Sequence, residues 1–132
     1  MAAVNPWLAV FLGGALGATL RFGVDLSLDA TLADHGGWLA TTFVNFLGAW
    51  LLGWIRGHGL AHVSASLRLG LTTGVLGSFT TWSAILVGVW VFVDAGSIPE
   101  ALGFLALNLG GGVAAAWWGW STGERRVARR SR

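Results

Sequence analysis

The sequence predicts an all-α integral membrane protein of four transmembrane helices, and three observations predict it. Of 132 residues, 55% are hydrophobic and only 11% charged, less than half the about 25% charge that covers an ordinary soluble domain. Mean hydropathy is +0.68. The apolar residues gather into four stretches free of Asp, Glu, Lys and Arg, at 1–20, 36–55, 69–93 and 101–123, and about 20 residues of helix cross the hydrocarbon core. The two-residue alternation of a membrane barrel is absent, and each stretch is apolar on every side, as a lipid-embedded helix requires. Residues 1–123 read as a single four-helix domain and residues 124–132 as a basic tail.

The first stretch has no basic start and runs into Arg21 without a convincing small-residue cleavage site, so it reads as a retained helix rather than a signal peptide. Residues 25–35, 56–66 and 94–99 read as the three linkers. Their shortness predicts antiparallel neighbours. Gly13 and Gly17 in the first helix and Gly70 and Gly74 in the third form four-residue small-residue steps, while Gly48, Gly53 and Gly110 to Gly112 mark the other two. Such residues let helix backbones approach closely in membranes. Trp7, Trp38, Trp54, Trp117, Trp118 and Trp120 fit interfacial anchoring, whereas Trp82 lies mid-span.

The third stretch, 25 residues long, exceeds one crossing and holds Gly77-Ser78-Phe79-Thr80-Thr81-Trp82-Ser83 at its centre. This reads as a helix broken near its middle. An intact helix carrying a Ser/Thr patch is an equal reading of the spacing. Irregular backbone at membrane depth occurs where protein buries it or where it lines a cavity, and unwound carbonyls there can coordinate a cation.

Charge sets orientation. Arg56 and Arg68 of the second linker and Arg125, Arg126, Arg129, Arg130 and Arg132 of the tail stand against Arg21 alone. The positive-inside rule then predicts cytoplasmic termini, with Asp25, Asp29, Asp34, Asp94 and Glu100 outside. The pI of 11.2 reflects a tail that anchors on anionic headgroups rather than a nucleic-acid surface, because net charge is only +2. With no cysteine, thiol chemistry and disulfides are excluded. His58 and His62 have the spacing of a metal pair but no supporting acid, and read as a solvated loop. No catalytic residue is assigned.

No carboxylate lies within the spans, which argues against a proton-coupled small multidrug exporter, the nearest rival in size. What remains is neutral hydrogen bonding: Thr41, Thr42 and Asn45 in the second helix, Thr72, Thr73, Ser78, Thr80, Thr81 and Ser83 in the third, and Asn108 in the fourth. These groups can solvate a small anion without titrating. They can equally bond helix to helix.

Three motifs resemble those of the Fluc (CrcB) family of small fluoride channels. They are Gly13-Gly14-Ala15-Leu16-Gly17-Ala18-Thr19-Leu20-Arg21-Phe22, Val44-Asn45-Phe46-Leu47-Gly48-Ala49-Trp50-Leu51-Leu52-Gly53, and Gly74-Val75-Leu76-Gly77-Ser78-Phe79-Thr80-Thr81-Trp82-Ser83-Ala84-Ile85. The fourth helix matches loosely, through Asn108 and the small residues after it. The resemblance implies an antiparallel dimer in a bacterial plasma membrane, passing fluoride through two narrow pores, with a structural sodium ion at the subunit interface. It implies sodium on the backbone carbonyls of Gly77 and Thr80, an anion pathway along Asn45, Thr41, Trp82, Ile85, Ser83 and Asn108, and Arg21 in the vestibule. A snorkelling helix-end residue is an equal reading of Arg21. Four helices are too few to hold an inverted repeat, so the second half must come from another subunit.

The chain departs from the family pattern where two pore phenylalanines are usual, at Trp82 and Ile85. Ala84 replaces a Thr, Gly88 stands where an acid is frequent, and Phe22 replaces a Tyr. Together with the arginine bias, these departures raise a heterodimer with an inverted partner as an alternative to the family's homodimer, and a non-conducting or half-active subunit as an alternative to a full channel. Fluoride, membrane lipid and a second subunit are the expected partners, and nucleic acid is not.

Overall fold

A computed structural model describes residues 5–32, 36–58, 60 and 63–130. Asp34, His35, His62 and Arg132 lie outside the described residues. All the secondary structure among those residues is helical, and four spans are long and apolar enough to cross a membrane.

Helix α1 (Pro6–Leu32) opens with Pro6, whose missing N–H costs nothing at a first helical position, and Asn5 Oδ1 accepts the Trp7 N–H at 2.9 Å. The helix outruns the boundary expected from charge, and residues 25–32, expected as linker, form its last turns. Its polar groups are satisfied locally. The Ser27 and Thr31 hydroxyls donate to the Gly23 and Ser27 carbonyls, and Arg21 and Asp25, one turn apart, pair at 3.7 Å.

Helix α2 (Gly36–His58) also runs past its apolar stretch. His58 is its last residue rather than part of a solvated loop. Its ring centroid lies 4.9 Å from that of Trp54, and Nδ1 is buried without a hydrogen bond. The reason is the last helix of the chain, which lies so close that a Cβ on its Gly123 would meet the His58 N at 2.7 Å.

The third span is composite. Ser64 Oγ accepts the Leu67 N–H at 3.3 Å and caps α3 (Ala65–Leu69). A π-helical segment (Gly70–Leu76) follows, then α4 (Gly77–Phe79), an interruption at residues 80–82, and α5 (Ser83–Asp94). Helix α5 ends on Gly96 at φ 75°. The Gly96 N–H bonds the Val93 carbonyl at 2.9 Å and the Ser97 N–H the Phe92 carbonyl at 2.8 Å, a double closure that satisfies the last carbonyls and needs a residue free of Cβ strain.

Helix α6 (Ile98–Arg130) has 33 residues, about 50 Å at 1.5 Å each. It exceeds the about 30 Å hydrocarbon core. The charged segment after Gly123 continues this helix instead of leaving it.

Lipid tails are as apolar as leucine, so close packing and interhelical bonds, rather than burial from water, hold such helices together. Two seams supply it. Between α1 and the π-helical segment, a Cβ on Gly13 would strike the Gly70 carbonyl, and one on Gly17 the Val75 carbonyl. Between α2 and α6, Gly53 meets the Ala116 carbonyl, Gly57 the Trp120 carbonyl, and Gly119 the Trp50 carbonyl. The obstructing atoms are backbone, which cannot rotate aside. Ala40 and Val44, both fully buried, complete the centre, while Trp7, Phe11, Val113 and Trp117 face outward.

Replacing Gly53 by Val should therefore force α2 and α6 apart and lower stability by about 1–3 kcal/mol or more. Gly23→Ala, at a site with nothing within 4 Å, should leave it unchanged. Melting of the two purified variants in one detergent compares them directly.

Candidate functional site

The interruption at residues 80–82 is where the sequence's polar residues converge. Phe79 closes the last helical turn, and Thr80 is extended, with φ −82° and ψ 159°. Its N–H and hydroxyl both donate back to the Leu76 carbonyl, at 3.1 and 2.9 Å. In an unbroken helix the next N–H, that of Thr81, would close on the Gly77 carbonyl. It donates instead to Asn45 Oδ1 on α2 at 2.8 Å. The Ala84 N–H, which would close on Thr80, donates to Thr81 Oγ1 at 3.2 Å. The carbonyls of Gly77 and Thr80 thus both lose their helical donors, and these are the two carbonyls that the family resemblance implies for a cation.

Asn45 is bonded on both sides of its amide. Its Nδ2 donates to the Thr81 carbonyl at 3.0 Å and to Asn108 Oδ1 at 3.4 Å. Asn108, 5% exposed, donates to the Phe104 carbonyl at 3.0 Å and to Thr42 Oγ1 at 3.4 Å. Thr42 in turn donates to the Trp38 carbonyl at 2.9 Å. One chain of bonds therefore ties α2, the interruption and α6. Thr81 and Thr42 enter the site through these bonds. Their hydroxyls were visible in the sequence, but the pairing of Thr81's peptide with Asn45 had no local signature.

Two cavities flank this polar centre, and the sequence-identified residues divide between them. A groove of about 430 Å³ is lined by Asn45, Gly77, Thr80, Trp82, Ile85 and Asn108. A cavity of about 880 Å³ is lined by Arg21, Thr41 and Ser83, together with Trp38, Glu100 and Phe104. Trp82 and Ile85 share the groove but not an environment, since Trp82 is 55% exposed and Ile85 only 5%. Gly88 makes room for a ring, because a Cβ there would lie 2.6 Å from Phe104 Cε1. Phe104 also packs against Phe92 at 5.8 Å between centroids. Phe104 was not legible as a site residue from sequence, and the only signal for it was the unexpected Gly88.

Charge lies at the margin of the larger cavity. Arg21, its side chain one-third exposed, is held 3.7 Å from Asp25, and Glu100 lines the same space. Among the described residues no group of three or more His, Cys, Asp or Glu is placed to hold a metal ion. A cation at the interruption would therefore find backbone and hydroxyl oxygens.

Four apolar helices, one interrupted at mid-span and flanked by polar-edged cavities, define a small polytopic membrane protein. Residues 8–120 match the family model described as CrcB-like protein, Camphor Resistance (CrcB), and the chain belongs to that family. It is 41% identical over 125 residues to a fluoride-specific ion channel FluC 2 of Symbiobacterium thermophilum, covering 93% of this chain and 97% of that one. It is 38% identical over 118 residues to a fluoride-specific ion channel FluC of Azotobacter vinelandii, covering 88% and 94%. A fluoride-specific ion channel FluC of Thermus thermophilus is 36% identical over 125 residues, covering 94% and 98%.

The Thr81 hydroxyl should carry measurable stability as the acceptor for Ala84. Thr81→Val should cost about 0.5–2 kcal/mol, with Thr81→Ser close to the parent, read from melting in detergent.

Proposed function

We propose that this chain is a fluoride channel subunit that lets fluoride leave the cytoplasm passively, working as a dimer of oppositely oriented copies with a structural sodium ion. Kinship over nearly the whole chain to relatives named fluoride-specific ion channels is the observation that carries the reading. The interruption supplies chemistry that suits it. The Gly77 and Thr80 carbonyls, relieved of their helical donors, are hard oxygen ligands, and from two inverted subunits they would make a set of four. Bound sodium contributes fixed positive charge in a low-dielectric setting, which favours an anion nearby.

The pathway would use neutral donors. Conduction needs binding strong enough to draw the ion in and weak enough to release it. The hydroxyls of Thr41 and Ser83 in the larger cavity meet that requirement better than a fixed cation at depth. Arg21, at the partly exposed margin, would raise local anion concentration, and Asp25 beside it would temper the effect. Trp82 and Ile85, with Asn45 and Asn108 in the wall behind them, would line the narrow part. Trp82 can present a positive ring edge to the anion, which Ile85 lacks.

A heterodimer with an inverted homologue is the second reading. It is favoured by the seven-to-one arginine bias, which under the positive-inside rule would hold the chain in one orientation with its termini in the cytoplasm. Trp82 and Ile85 would then line the altered pore of a half-active pair.

Liposomes holding the purified chain should release fluoride rapidly and chloride far more slowly, as read by an ion-selective electrode. Silence from demonstrably inserted protein, reversed by co-expression with an inverted homologue, would select the heterodimer. Silence under both conditions would refute the channel. At low salt and subsaturating fluoride, Arg21→Ala should slow efflux by about fivefold and Asp25→Asn should speed it. The scale is that of the about 1 kcal/mol between charges 4 Å apart in water, and both effects should shrink in high salt.

A further inference from the structure

We propose that Asn45 is a positioning residue that holds the third span open, rather than a donor to the passing anion. The inference deepens the reading above and rests on it for the identity of the cation. A side-chain amide has two N–H donors and one carbonyl acceptor. In Asn45 all of these are engaged. Oδ1 accepts the Thr81 N–H at 2.8 Å, and Nδ2 donates to the Thr81 carbonyl at 3.0 Å and to Asn108 Oδ1 at 3.4 Å.

The two bonds to Thr81 form a closed pair between a side-chain amide and one residue's backbone, much as facing strand residues exchange both their bonds. Turning the amide toward an anion would take away the partners of the Thr81 N–H and carbonyl at membrane depth, where an unsatisfied group costs several kcal/mol. The pair also has a consequence four residues back. While Asn45 holds the Thr81 N–H, the Gly77 carbonyl has no helical donor. Without Asn45 that N–H is free to turn back to Gly77 and continue the helix, removing one cation ligand. Asn108 stands differently, because it accepts one Asn45 N–H and otherwise bonds Phe104 and Thr42, so its removal leaves both Asn45–Thr81 bonds in place.

The test is a sodium titration of the melting temperature of the purified full chain in detergent, with chloride and ionic strength held constant by N-methylglucamine. Asn45→Ala should need at least tenfold more sodium than the parent for half-maximal stabilisation. Asn45→Asp retains an acceptor for the Thr81 N–H and should restore the response at no more than parental sodium. Asn108→Ala should keep the parental midpoint. Where Asn45→Ala does not fold, Asn45→Ser, too short to reach Thr81, is read in the same way.

A parental sodium midpoint in Asn45→Ala, together with lost fluoride efflux, would overturn the proposal and make the amide a pathway donor. No sodium response in the parent would instead remove sodium from the proposed function. The positioning role would then be decided by hydrogen exchange across residues 77–84. Altered exchange in Asn45→Ala but not in Asn108→Ala supports it, and unaltered exchange in both overturns it.

Discussion

The structure depends on one constraint: a polypeptide that stops being helical inside a bilayer must find other partners for its peptide groups, because no water is there to supply them. Residues 80–82 break the third span, and α2, α5 and α6 answer that break. From α2, Asn45 bonds both sides of the Thr81 backbone. Thr81 itself takes the Ala84 N–H that opens α5. Asn108 on α6 braces the arrangement by accepting from Asn45. The carbonyls of Gly77 and Thr80 are among those left without helical donors, and the proposed cation site draws on them.

Bringing three helices to one point requires close backbones, and here the glycine distribution acquires its purpose. The α2–α6 seam is cut from Gly53, Gly57 and Gly119, each facing a backbone carbonyl of the other helix. The seam sets Asn45 and Asn108 within reach of each other across 63 residues of sequence. On the other side, Gly13 and Gly17 let α1 lie on the π-helical segment. Only the three residues of α4 separate the long turns of that segment from the interruption, so the third span departs from the α-helix at Gly70–Leu76 and again at residues 80–82. Packing and function share one device in this chain. The residues that allow tight contact are also those that place polar side chains at the break.

The departures from the family pattern fall into place in different ways. Gly88 is the floor under the Phe104 ring, so the loss of a side chain on α5 is matched by an aromatic ring from α6. Both Ile85 and Trp82 line the groove, but Ile85 is buried there and Trp82 is largely exposed. One position is therefore governed by packing within the chain and the other by whatever lies against its surface. Arg21 and Asp25 form a weak, partly exposed pair of the kind that contributes little to stability, which leaves the arginine's charge available at the cavity margin.

Much of the fold was legible in the amino-acid sequence. The four spans follow from uncharged stretches long enough to cross lipid, whereas a long stretch with Gly77 and a run of hydroxyl residues at its centre allows a broken and an intact helix equally, and the bonds of Thr81 decide between them. Helix ends were less legible. Residues 25–32 and 124–130 are polar yet helical, since Ser27 and Thr31 bond back to their own helix and α6 simply continues past its apolar part. Which residues would be apolar, small or hydrogen bonding is local information, and the sequence by itself determined it. Which peptide groups Asn45 would take, which carbonyls would be released and which cavity each polar residue would line were decided by the tertiary structure alone. The physical reason is that those outcomes rest on bonds between residues 36 and 63 positions apart, and neither spacing nor periodicity along one helix records a contact with another.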